Sequence, residues 1–202
     1  NLRKVMGFIV AVHVPIAGLA LLPLVLGLPV MFSPIHIAFL EMVIDPVCSL
    51  VFEAEAEEED IMQRPPRPPD EPLFSRQMIG WSIIQGLLGF TLVGCIFVMA
   101  HWWGMPQAEV RALSFFSLVT VILGLIFVNR TFDSSVIDAL SRPNPSLGWV
   151  LLAVVAILSL SLLWPAASDL FRFGPLHIDD LALTITAGAA VLVVLEFLKP
   201  IW

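Results

Sequence analysis

Apolar blocks of membrane-spanning length constrain this chain more than any other feature. Of its 202 residues, 58% are hydrophobic and only 13% are charged, and the mean hydropathy is +0.94. Soluble domains contain about a quarter charged residues. The apolar residues come in blocks of roughly 18 to 25, the length that a helix needs to cross a hydrocarbon core of ~30 Å. The sequence therefore predicts an all-α, polytopic integral membrane protein.

Six hydrophobic spans organise the chain. They lie at about 5–28, 34–52, 78–100, 112–129, 147–165 and 181–198, each close to the length of a membrane crossing. Lys and Arg are enriched in cytoplasmic connections. One side of the predicted bundle holds eight of them, namely Arg3, Lys4, Arg64, Arg67, Arg76, Arg130, Arg142 and Lys199, and the other holds Arg111 and Arg172. This bias predicts that both termini are cytoplasmic, in a multi-pass protein of the plasma (inner) membrane.

The connection between the second and third spans is long and unusual in composition. Six of the 17 acidic residues lie in Glu53–Asp60, and a proline-rich stretch with two arginines follows them. Paired prolines favour a stiff, extended backbone. Both a solvated linker and a rigid contact element fit this composition. The chain thus divides into two spans with a candidate ion site (1–52), a cytoplasmic proline-rich loop (53–77) and four further spans (78–202).

Two carboxylates lie at the centre of the second span, in the stretch F-L-E-M-V-I-D-P (39–46). Glu41 and Asp45 are four residues apart, so they share one face of a helix. A charge at the bilayer centre costs about 2.5–3.5 kcal/mol on insertion scales. Two like charges one turn apart also repel each other. The pair therefore indicates a bound cation, a proton or a water-filled path.

A proline next to these carboxylates supplies a further oxygen. Pro46 has no N–H, so the carbonyl of Met42 loses its helical partner and becomes available as a ligand. Two carboxylates and a free carbonyl form a set of hard oxygen donors. Such a set suits Ca²⁺ or an alkali cation or, with fewer ligands, a proton.

His13 lies at a matching depth in the first span. It follows Lys4 by nine residues, or about 14 Å of helix, which brings it near the membrane midplane. Pro15 follows it and frees the carbonyl of Ala11. Broken helices at membrane depth are tolerated where they line a cavity. His13 is therefore either a buried, hydrogen-bonded histidine or part of the wall of an ion site.

One long stretch of the chain has a specific resemblance. The segment I-D-P-V-C-S-L-V-F-E-A-E-A-E-E-E-D-I-M-Q-R-P-P-R-P-P-D-E-P-L (44–73) resembles the sixth transmembrane helix and the following cytoplasmic loop of type II P-type cation-transporting ATPases. The opening N-L-R-K, followed by G-F-I-V-A-V-H-V-P-I, resembles the start of the fifth helix of these calcium and sodium/potassium pumps. The six spans would then correspond to pump helices five to ten.

The resemblance implies roles for individual residues. Asp45 matches the sixth-helix aspartate that binds cations in the family, and Glu41 matches the ligand position four residues earlier. The fifth-helix ligand positions are occupied by His13 and Ile16, and Ile122 stands where the calcium pump has an eighth-helix acid. Because the set has fewer acids than a two-calcium site, one metal cation or one proton is expected.

The resemblance also implies partners. The lipid bilayer and the N-terminal part of a pump, with helices one to four and the cytoplasmic domains, would surround this chain, and no nucleic-acid partner is expected. Arg64 and Arg67 would contact acidic groups of those domains. The 202 residues contain no D-K-T-G phosphorylation motif and no T-G-E motif, so Mg-ATP would bind only through the cytoplasmic domains. A stand-alone six-span module that binds ions or regulates a pump is the alternative.

Overall fold

The fold is a bundle of helices, seen in a computed structural model that describes residues 2–55, 74–130 and 144–199. Within these ranges every regular element is helical. The elements in chain order are α1 (Leu2–Leu26), α2 (Pro34–Phe39), a π turn (Leu40–Ile44), α3 (Asp45–Glu53), α4 (Arg76–Trp102), α5 (Gln107–Arg130), α6 (Pro145–Leu163), α7 (Pro165–Phe171) and α8 (Ile178–Leu198). The prediction of an all-α protein is confirmed.

Six helical stretches have the length and composition needed to cross a membrane. They are α1, the continuous stretch Pro34–Glu53 formed by α2, the π turn and α3, and then α4, α5, α6 and α8. Each overlaps one predicted span, and the bounds differ by a few residues. The largest difference is at α5, which begins at Gln107 instead of 112. The short helix α7, which Pro165 opens, was not predicted.

The innermost element is α5. It packs against α1, α3, α4 and α8, and most of its residues are buried. The largest fully buried side chains of the protein include Leu118, Ile122 and Leu125 on this helix. A helix that is apolar on all sides is expected at the centre of a bundle. The other spans are therefore positioned by their contacts with α5 and with each other.

Glycines allow close contacts between helices in this bundle. A Cβ on Gly86 of α4 would lie 2.5 Å from the Cβ of Val14 and 2.6 Å from the carbonyl oxygen of Ala11. On α8, a Cβ on Gly188 would lie 2.6 Å from the carbonyl oxygen of Thr120. Small residues of this kind let helix backbones approach each other in membranes. The contact at Gly86 fixes α1, which carries His13, against α4.

We expect Gly86→Ala to lower the stability of the bundle. The added methyl group would push α1 and α4 apart, and overpacking of this kind costs about 1–3 kcal/mol. Gly148→Ala is the matched control, because Gly148 is also helical and a Cβ there meets nothing within 4 Å. Thermal unfolding in detergent should show a lower midpoint for Gly86→Ala only. Equal midpoints for the two variants would contradict the close contact.

Candidate functional site

The structure brings together the three side chains that the sequence placed at the same depth. His13 of α1, Glu41 of the π turn and Asp45 of α3 each offer one ligand atom, and these atoms all lie within 4.8 Å of one another. His13 Nε2 lies 3.1 Å from Glu41 Oε2. The side chains of His13 and Glu41 are 47% and 36% exposed within the described part of the chain. His13 and Glu41 are thus only partly covered by the described helices.

The orientation of the His13 ring is set by its own helix. Nδ1 lies 2.8 Å from the carbonyl oxygen of Ile9, one turn earlier. A carbonyl can only accept, so Nδ1 carries a hydrogen and donates it. Nε2 consequently faces Glu41, either as a free lone pair or with a second proton. A hydrogen bond across the 3.1 Å gap needs one proton, on the imidazole or on the carboxyl group.

The carboxylates lie where the second span departs from α-helical geometry. The backbone N–H of Asp45 donates to the carbonyl of Leu40, five residues earlier, which defines the π turn. Pro46 follows within the first turn of α3, where a missing N–H and a fixed φ are tolerated. Such π turns inside helices occur frequently at functional sites. The predicted ligand role of the Met42 carbonyl, within this turn, stays a prediction.

One oxygen of the site lacks a partner. Asp45 Oδ1 is buried and accepts no hydrogen bond from any described residue. Buried polar atoms are satisfied in the great majority of cases, so an exception requires an explanation. A bound ion, proton or water at this position would supply the missing interaction.

The N-terminal end of the second span is held by a buried histidine. His36 is fully buried. Its Nδ1 accepts from the N–H of Ser33 at 3.0 Å, and its Nε2–H donates to the carbonyl of Phe171 at 2.9 Å. Because a backbone N–H can only donate, Nδ1 carries no hydrogen and the ring is neutral. Phe115 and Phe173 pack around the ring, with centroid distances of 5.8 and 5.4 Å.

The cytoplasmic end of this span, in the predicted topology, is held by a buried ion pair. Arg130 Nε lies 2.9 Å from Glu55 Oε2, and an Nη of the same guanidinium lies 3.2 Å from Oε1. Asn144 donates to Glu55 Oε2 at 2.7 Å and to the carbonyl of Val51 at 2.9 Å. Asn144 also caps α6 by accepting from the N–H of Ser146. The ends of α3, α5 and α6 are thereby joined.

Sequence reasoning missed this ion pair. It treated Glu55 as one member of an acidic run and Arg130 only as a topological marker. A lone Arg at the end of an apolar span and an Asn before Pro145 were the available signals, and neither identifies a partner 75 residues away. The predicted coupling residues Arg64 and Arg67 lie outside the described residues.

Comparison with known proteins identifies the family. The model of the family described as "Cation transporting ATPase, C-terminus" matches residues 29–201. This range covers most of the chain and includes five of its six spans. The chain therefore belongs to the family of cation-transporting ATPases and corresponds to their C-terminal region, in agreement with the resemblance found in the sequence.

Individual relatives are similar along most of the chain. It is 25% identical over 191 residues to the "Calcium-transporting ATPase" of Bacillus subtilis (strain 168), covering 94% of this chain and 21% of that protein. It is 27% identical over 187 residues to the "Probable cation-transporting ATPase F" of Mycobacterium bovis, covering 88% and 20%. The chain thus spans about a fifth of the length of these relatives.

We expect the Arg130→Met substitution to destabilise the bundle by about 3–5 kcal/mol, because it removes the guanidinium that pairs with the buried carboxylate of Glu55. The double variant Glu55→Gln/Arg130→Met should recover much of this loss. It contains no buried charge at this position, and the glutamine oxygen can still accept from Asn144. Thermal unfolding in detergent measures both variants. If the single substitution leaves the midpoint unchanged, the pair does not hold these helices together.

Proposed function

We propose that this chain supplies the transport site of an ATP-driven cation pump, with His13, Glu41 and Asp45 as cation-binding groups. The observation that carries the proposal is the convergence of their three ligand atoms within 4.8 Å, in the middle of two membrane-spanning stretches. The unpartnered Oδ1 of Asp45 supports it. Glu41 and Asp45 bind the cation, His13 forms one wall, and the Met42 carbonyl is a fourth candidate ligand.

The irregular geometry of the second span would allow the distances between the ligands of this site to change. Its ends are held by His36 and by the Glu55–Arg130 pair, whereas its centre contains a π turn followed by Pro46. Non-helical backbone at membrane depth is tolerated where it lines a cavity. Movement of α1 relative to this turn would alter the distance between His13 and Glu41. Alternating access would thus exchange a cation for a proton at the carboxylates.

The rest of the machinery lies elsewhere in the complete protein. Relatives about five times longer support the proposal that this chain functions with an N-terminal part that binds Mg-ATP and is phosphorylated. In this arrangement both termini and the loop 53–77 are cytoplasmic, Arg64 and Arg67 contact the cytoplasmic domains, and the pump lies in the plasma membrane. The family match makes a stand-alone six-span module the weaker alternative.

We expect Asp45→Asn to reduce cation-stimulated ATP hydrolysis by the complete protein by at least about tenfold. Even outer-shell partners of metal ligands change affinity by 10- to 100-fold when they are removed. Glu41→Gln should shift the cation dependence, because it removes one of two interacting protonatable groups. The measurement is ATPase activity of the purified protein as a function of Ca²⁺, Mn²⁺, Zn²⁺, Na⁺, K⁺ and pH.

Asp179→Asn provides the matched control, because this exposed carboxylate lies at the start of α8, away from the three-residue site. Its cation dependence should equal that of the wild type. A purely structural role of Glu41 and Asp45 would instead change thermal stability and leave the cation dependence intact. That result in both site variants would rule out these carboxylates as the transport site.

A further inference from the structure

The donor set of the site contains a nitrogen as well as oxygens. The ligand atoms offered by His13, Glu41 and Asp45 lie within 4.8 Å of one another, and His13 Nε2 lies 3.1 Å from Glu41 Oε2. Metal–nitrogen and metal–oxygen bonds of about 2.0–2.2 Å place neighbouring ligand atoms roughly 3–3.5 Å apart. The distance between His13 and Glu41 already meets this requirement, so one ion could bind both.

The hydrogen bond of His13 to its own helix resembles the arrangement of a metal ligand. Histidines that bind metals almost always donate their second ring N–H to a carbonyl or carboxylate, which fixes the tautomer and the ring orientation. Here Nδ1 donates to the carbonyl of Ile9 at 2.8 Å, and Nε2 faces the carboxylates. The ring is thereby prepared to offer its Nε2 lone pair to an ion.

Asp45 supplies a further candidate donor. Asp45 Oδ1 is buried and has no hydrogen-bond partner in the described ranges. A divalent ion between Nε2 of His13 and the two carboxylates would satisfy this oxygen and offset the repulsion between Glu41 and Asp45. A single alkali cation would offset less of that charge, and it gains little from an imidazole ligand.

We propose that the cation bound by this site is a first-row transition-metal ion of the Mn²⁺ to Zn²⁺ series, and that His13 determines this specificity. Sites with nitrogen and oxygen donors bind the divalent first-row metals with an affinity that rises from Mn²⁺ to Cu²⁺, and imidazole suits Zn, Cu, Fe and Ni, whereas Ca²⁺ takes six to eight oxygen ligands. This inference rests on the proposed function, because it takes the three residues to be the transport site and adds the class of ion.

Co²⁺ is the probe for the test, since its visible d–d absorption reports coordination by nitrogen and oxygen directly. The complete protein, stripped with a chelator, is titrated with Co²⁺ in detergent. We expect a band in the wild type and an apparent affinity at least about tenfold lower in His13→Asn, which exchanges the nitrogen donor for an oxygen. In ATPase assays the same variant should shift the stimulating ion from the Mn²⁺–Zn²⁺ group toward Ca²⁺.

His177→Asn is the matched control. His177, Asp179 and Asp180 form the other group of three possible ligands within 4.8 Å among the described residues, and His177 is exposed. The Co²⁺ band should be unchanged in this variant. If His13→Asn fails to fold, pulsed EPR of Mn²⁺ bound to the wild type decides, because a coordinated imidazole produces nitrogen hyperfine coupling.

Two results would overturn the inference. One is a wild type that shows neither a Co²⁺ band nor nitrogen coupling and is stimulated only by Ca²⁺ or alkali cations, which would exclude His13 as a metal ligand. The other is loss of the band in His177→Asn instead of His13→Asn. Asp45→Asn separates the two proposals. If it abolishes Ca²⁺ stimulation, the transport site stands and only the ion class is wrong; if it affects no cation, the proposed function fails.

Discussion

The second span contains polar groups at membrane depth. Its position depends on buried polar contacts at both of its ends. At one end the neutral ring of His36 joins α2 to the carbonyl of Phe171, which ends α7. At the other end Arg130 forms a bidentate pair with Glu55, and Asn144 also donates a hydrogen bond to that carboxylate. Breaking a buried pair leaves an uncompensated charge, so these contacts tolerate little displacement. The ends of the span are thereby fixed while its middle departs from α-helical geometry.

That middle contains the carboxylates of the proposed transport site. The π turn and Pro46 bring Glu41 and Asp45 to a face that is also reached by His13. The position of His13 depends in turn on the tight contact of α1 with Gly86 of α4. A rigid frame and one irregular segment together place three ionisable side chains at a depth where such groups are costly and mark ion pathways.

Membership of the family does not establish which ion the donor atoms of this site bind. The match to the C-terminal region of cation-transporting ATPases covers residues 29–201 and includes five of the six helices of the frame. A frame does not by itself define what a site binds. At the positions that the resemblance assigns to fifth-helix ligands, this chain has His13 and Ile16. The relative from Bacillus subtilis is named as a calcium transporter, but that name by itself does not identify the ion that this chain binds.

The sequence was sufficient to predict an all-α membrane bundle and to place the candidate ligands near the membrane midplane. The lengths of the apolar blocks gave six spans because backbone hydrogen bonding in lipid must be satisfied within each helix, and this local rule needs no tertiary information. The four-residue spacing of Glu41 and Asp45 placed them on one helix face, and the position of His13 in the first span placed it at a matching depth. Two contacts became known only from the packing of the helices: His13 faces Glu41, and Glu55, although it belongs to an acidic run in the sequence, pairs with Arg130. These contacts join distant segments, and their energies depend on burial, which the packing of the helices creates.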